Sequence, residues 1–92
     1  MDKIQKLELM DKILRELDDL KNSQTAVIKK LAQIEADNIT LGVALLDKKL
    51  PDVHEEVNAS IDVVTALLEE FQTHRDSYYT DNKLEALLDP TA

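Results

Sequence analysis

The sequence predicts an all-α protein: a long N-terminal coiled-coil helix, an antiparallel fold-back second helix and a short C-terminal helix, assembling as a helical bundle. Three observations lead there. From Asp2 to Leu50 no proline interrupts the chain, and the one glycine is Gly42. Over the same stretch apolar residues recur at alternating spacings of three and four, the signature of a helix with a 3.5-residue repeat and not of a strand with a period of two. Beyond Pro51 a second apolar repeat with the same spacing begins.

The first helix is expected over residues 2–49. Its seam reads Met10, Ile13, Leu17, Leu20, Gln24, Val27, Leu31, Ile34, Asn38, Leu41 and Leu45, with every position apolar except Gln24 and Asn38. Such a stripe on so long a helix points to a coiled coil, so these residues form the expected oligomer interface. Gln24 and Asn38 either set the register of that interface or mark a splayed, solvated stretch. The weakest segment is Asn22-Ser23-Gln24-Thr25, whose residues favour caps over helix interiors. No Gly or Pro supports a break there, and the register continues in phase on both sides, which favours one unbroken helix. Its length would be roughly 70 Å at 1.5 Å per residue.

Leu50-Pro51 should end this helix, because the residue before a proline is pushed out of the helical region. Pro51 suits the first turn of the next helix, expected over residues 52–77, with Asp52, Glu55 and Glu56 complementing its N-terminal dipole. Val53, Val57, Ile61, Val64, Leu68 and Phe71 mark its apolar face. Tyr78-Tyr79-Thr80-Asp81 reads as a connection, and Asn82 with Glu85 makes a loose capping box opening a short helix over residues 82–88. Asp89-Pro90-Thr91-Ala92 reads as a frayed tail.

Between Ile39 and Leu50 the chain is apolar almost all round, so that segment needs cover from two directions. The fold-back helix supplies one and a partner helix the other. The expected partner is therefore the chain itself, as a dimer or a higher oligomer, together with another protein on which it acts.

Charge divides the chain unequally. Residues 1–50 hold nine basic and nine acidic residues, whereas residues 51–92 hold two and ten, so the second half carries the whole net charge of −8. A solvated acidic face keeps a protein soluble. It also attracts basic partners over long range. Glu55, Glu56, Asp62, Glu69 and Glu70, with Tyr78 and Tyr79, are the candidate partner-binding residues.

Composition excludes much chemistry. One glycine cannot build the Gly-rich loops of nucleotide-binding folds. The absence of cysteine removes disulfides, thiolate metal sites and a cysteine nucleophile. An acidic chain with three aromatic residues lacks the basic stripe and stacking rings of a nucleic-acid binder. Asp52-Val53-His54-Glu55-Glu56 lacks the second histidine of the zinc motif, and His74-Arg75-Asp76 matches a kinase tripeptide without any of its companions. Leu84-Glu85-Ala86-Leu87-Leu88 spells a groove-binding helix, a spelling that Leu-rich terminal helices reach easily. Neither catalytic nor cofactor-binding nor metal-ligating residues are expected. No span is apolar and long enough for a bilayer, and no leader pattern stands at the N-terminus, so a cytoplasmic protein is expected, or one of a virion or host cytoplasm for a viral source. The expected function is that of a non-enzymatic assembly factor, adaptor or chaperone-like scaffold. The alternative is a small acidic inhibitor or immunity protein that blocks a basic surface by nucleic-acid mimicry.

Overall fold

The computed structural model describes residues 1–88, so the tail Asp89–Ala92 lies outside the described residues. The chain is an extended helical hairpin in which α1 spans Lys3–Leu41, α2 spans Ala44–Asp81 and α3 spans Leu84–Leu88. The two long helices run antiparallel and pack along their whole length. The particle measures 67 × 22 × 16 Å with a radius of gyration of 20.4 Å, against about 12 Å for a compact chain of this size.

Asp2 opens α1 with a capping box. Its carboxylate accepts from Gln5 N at 2.7 Å, and its own N–H donates to Gln5 Oε1 at 3.0 Å. The helix then passes unbroken through Asn22–Thr25. Asn22, Ser23 and Thr25 point to solvent, and the Thr25 hydroxyl donates to Lys21 O at 3.1 Å, so the polar group is satisfied within the helix.

The hairpin turn falls at Gly42–Val43, about two helical turns before the expected break at Leu50–Pro51. Gly42 takes the left-handed conformation (φ +73°) that closes a helix, and its N–H donates to Asn38 O at 2.6 Å. Asn38 is buried and organises the turn. Its Oδ1 accepts from Val43 N at 3.0 Å, while its Nδ2 donates to Val43 O at 3.2 Å and to Asp47 Oδ1 at 2.8 Å. Asn38 is thus a turn residue, where the sequence placed it on an oligomer seam. Leu45 likewise belongs to α2 and not to the stripe of the first helix.

Pro51 lies inside α2, where it removes one backbone hydrogen bond and crowds the carbonyl four residues earlier. The helix persists because Leu50 and His54, on either side, are half-buried against α1. The early turn also matches the lengths of α1 and α2. A turn at Pro51 would leave the apolar segment Ile39–Leu50 overhanging.

Tyr78–Asp81, expected as a connection, forms the last turn of α2. Asn82 closes that helix instead of opening the next one, with Nδ2 donating to Tyr78 O at 2.9 Å. Lys83 adopts a left-handed φ of 53° and redirects the chain into α3, which begins at Leu84 and not at Asn82. Leu84 is fully enclosed there.

Three substitutions separate the observed turn from one at Pro51, measured by urea unfolding followed by circular dichroism. Gly42→Ala should cost about 1–2 kcal/mol from backbone strain alone, since an added Cβ meets nothing within 4 Å. Asn38→Ala, which strands Val43 N–H, should cost about 1–3 kcal/mol. Pro51→Ala should stabilise α2 by about 1–3 kcal/mol, whereas loss of stability on that change would place the turn at the proline.

Candidate interaction surface

The packing of α1 on α2 follows a heptad repeat. In α1 the a positions are Leu7, Leu14, Lys21, Ile28 and Glu35, and the d positions are Met10, Leu17, Gln24, Leu31 and Asn38. In α2 the a positions are His54, Ile61, Leu68 and Arg75, and the d positions are Leu50, Val57, Val64, Phe71 and Tyr78. Every one of these residues is buried or half-buried. Cross-helix bonds fix the register. His54 donates from Nδ1 to Glu35 Oε1 at 3.2 Å, and Gln24 Nε2 donates to Ser60 Oγ at 2.5 Å. Arg75 grips Asp11 through Nε at 2.7 Å and Nη2 at 3.4 Å, while its guanidinium stacks 5.2 Å from the centre of the Tyr79 ring. The Asp11 hydrogen bond holds that guanidinium charged even more firmly than usual, against an opposing desolvation effect, and Asp76 adds to it.

The hairpin has two unlike flanks. Asp11, Arg75 and Tyr79 lie on the side of the e positions. There α1 presents Asp11, Asp18, Thr25, Ala32 and Ile39, and α2 presents Pro51, Asn58, Thr65, Gln72 and Tyr79. Just outside this row, at the b positions of α2, stand Glu55, Asp62, Glu69 and Asp76, four acidic residues spaced seven apart and all exposed. Only Asp76 among them has an ion-pair partner within the described residues, Arg75 at 3.2 Å. Near the turn this flank opens into a shallow cleft lined by Glu35, Ile39, Pro51 and His54, among others.

The opposite flank, marked by Ser60, carries the g positions. In α1 these are Ile13, Leu20, Val27, Ile34 and Leu41; in α2 they are Val53, Ser60, Leu67 and His74. Between these residues no acid or lysine stands in either column, and only at the open end do the columns reach Lys6 and Asp81. Leu20 (46% exposed), Val27 (45%), Ile34 (38%), Leu41 (68%), Val53 (43%) and Leu67 (46%) remain open to solvent. Here lies a wide apolar stripe that the hairpin itself does not cover.

The expected interface of the first helix is therefore divided. Met10, Leu17, Gln24 and Leu31 pack within the chain against α2, whereas Leu20, Val27, Ile34 and Leu41 face outward and Ile13 is half-buried. Leu14, Lys21, Ile28 and Glu35 complete the internal seam, and the sequence pattern passed over them. Of the candidate partner-binding residues, Glu55, Glu56, Asp62, Glu69 and Glu70 are exposed on α2. Tyr78 and Tyr79 are engaged inside the chain: the Tyr78 hydroxyl donates to Lys3 O at 3.2 Å, and Tyr79 packs under Arg75. Arg75 and Asp11 stand 64 positions apart, and only a knowledge of the hairpin register could have paired them.

Among the described residues no group of three or more His, Asp or Glu side chains is placed to hold a metal ion. No helix there is long and apolar enough to cross a membrane. Compared with protein-family models, with curated proteins and with solved structures, the chain matches none.

The Arg75–Asp11 pair ties the open end of the hairpin but is partly solvated, with side chains 24% and 36% exposed. A double-mutant cycle of Arg75→Gln and Asp11→Asn, read by chemical unfolding, should give a coupling of about 0.5–1 kcal/mol. Additive single effects would show that the pair contributes nothing to holding the helices together.

Proposed function

We propose that this protein is a non-enzymatic, oligomeric coiled-coil protein that works through protein–protein interaction, as an assembly factor, adaptor or chaperone-like scaffold. Its partners are other copies of itself and a further protein, and its place of work is the cytoplasm, or a virion or host cytoplasm for a viral source. The supporting observation is the apolar flank from Ile13 to Leu41, joined by Val53 and Leu67, which one hairpin leaves wet. Contiguous exposed apolar surface of this kind marks association sites. The long rigid rod then presents its remaining faces at fixed spacing, which is what a scaffold requires.

A second reading has its own support in the acidic row Glu55, Asp62 and Glu69, exposed and without a counter-charge among the described residues. On this reading α2 blocks a basic target surface, such as a nucleic-acid-binding groove whose phosphates the carboxylates mimic.

Light scattering on the full chain tests the first reading. The mass in solution should be twice 10.4 kDa or a higher multiple. It should hold between roughly 0.05 and 0.5 M salt, because apolar contacts are not screened. A single-chain mass throughout would overturn it. The second reading predicts that replacing Glu55, Glu56, Glu69 and Glu70 with Gln leaves helicity unchanged but releases the target. Binding that survives both this change and high salt would end it.

A further inference from the structure

We infer that the bare apolar flank seats a second copy of this chain, closing a four-helix bundle in which the Gln24–Ser60 rung of one copy meets that of the other at the middle of the interface. The inference rests on the self-association proposed above and adds which face carries it and what sets its register.

The width of the stripe on α1 is the first argument. The a, d and g columns, apolar at most of their positions, together occupy three positions of seven, the pattern of a helix that touches two neighbours in a bundle and not of a two-helix seam. Within the chain α2 is one neighbour. The g column faces a place where a second neighbour belongs.

Area is the second. The chain exposes 6837 Å², whereas a compact monomer of 10.4 kDa exposes about 5,400 Å². The excess of roughly 1,400 Å² exceeds the ~800 Å² per partner that a standard stable interface takes.

The third argument is the order of residues along the flank. The antiparallel register sets Val27 beside Ser60 at its midpoint, with the apolar rung Leu20 and Leu67 on one side and the apolar rung Ile34 and Val53 on the other. Such a column is self-complementary. For these three central rungs a two-fold arrangement lays the polar rung on the polar rung and apolar rungs on apolar ones, whichever way the second hairpin points. From Ile13 to Leu41 and from Val53 to His74 no carboxylate stands in the column; Asp81 shares its end rung with Lys6, and Glu56 and Glu70 stand outside it at the rim, so two chains of net charge −8 meet at the centre of the flank without opposing like charges.

Gln24 supplies the fourth. Its Nε2 donates to Ser60 Oγ, but its Oε1 is buried without a partner. The Ser60 hydroxyl accepts from Gln24 and keeps its own proton to donate. Ser60 is exposed on the flank while Gln24 Oε1 is enclosed by its own chain, so in the bundle the Ser60 hydroxyl of one copy donates to the Ser60 Oγ of the other. A polar layer of this kind fixes register and oligomer number in helical bundles.

Sedimentation equilibrium and thiol cross-linking test the arrangement on the full chain. Leu20→Glu and Ile34→Glu should each raise the dimer dissociation constant by about a hundredfold or more, since each buries an unpaired charge. Circular dichroism should show helicity retained, because neither residue is part of the seam with α2. Ala32→Glu, on the opposite flank, should leave the dimer unchanged. The chain has no native cysteine, so Ser60→Cys should be joined into a covalent dimer by a short bis-maleimide, and Ala32→Cys should not. A dimer that ignores Leu20→Glu and Ile34→Glu but dissociates with Ala32→Glu, or that cross-links through Ala32→Cys and not Ser60→Cys, would overturn the assigned face while leaving self-association standing. A wild-type chain that sediments as a single copy at every concentration would overturn both.

Discussion

Two helices lying side by side can shield only one strip of each other. That constraint governs this molecule, because the first helix is apolar over more than one strip. Its a and d residues find cover on α2, and its g residues do not. Only Leu7, Leu31 and Leu84 among the apolar side chains of the described residues become buried, and of these Leu84 alone is fully enclosed. A chain of this size ordinarily derives its stability from a closed core. Here the enclosed part is thin, and the incompletely covered part is long, continuous and on one side.

The turn determines which residues fall on which side. By closing at Gly42–Val43, it gives α1 and α2 nearly equal lengths of 39 and 38 residues, and their repeats then run opposite one another from end to end. Asn38 makes this geometry specific, since its amide bonds both the N–H and the carbonyl of Val43 and reaches Asp47 at the start of α2. At the other end Tyr78 bonds the backbone of Lys3, and Arg75 holds Asp11. With both ends tied, a slip in pairing would cost the turn bonds and the end bonds together.

The helical class, the unbroken run through Asn22–Thr25 and the fold-back were legible in the sequence, because periodicity over tens of residues outweighs a few weak helix formers. Two features were not. Proline is the stronger punctuation mark in a sequence, so Pro51 drew the turn away from Gly42. Yet a single internal proline costs a helix one bond and some strain, whereas a left-handed position all but demands glycine. The second feature was the choice of seam. The spacing Met10, Ile13, Leu17, Leu20 joins the d and g columns, and Met10, Leu14, Leu17, Lys21 joins d and a. Both are threes and fours. Lys21 and Glu35 weaken the true seam to the eye, because long side chains can lie half-buried along a seam with their charged ends in water. Only the partner helix shows which column it covers.

The same register separates the apolar flank from the b row of acids, whereas Glu56 and Glu70, at the c positions of α2, stand at the rim of the g flank. The apolar g flank and the acidic b row of α2 lie on opposite sides of the rod. Glu55, Asp62 and Glu69 border the e flank, which holds Asp11, Asp18, Asn58 and Gln72 and offers little to exclude water. A second hairpin on the g flank would therefore leave the carboxylate row facing outward, and doubled. Charge repulsion between copies falls with distance and is screened beyond about 8–10 Å, so rows kept to the outer faces oppose association far less than rows at the interface would. Association through one flank and attraction of a basic partner by the other are compatible uses of a single rod, because each draws on residues that the other leaves exposed.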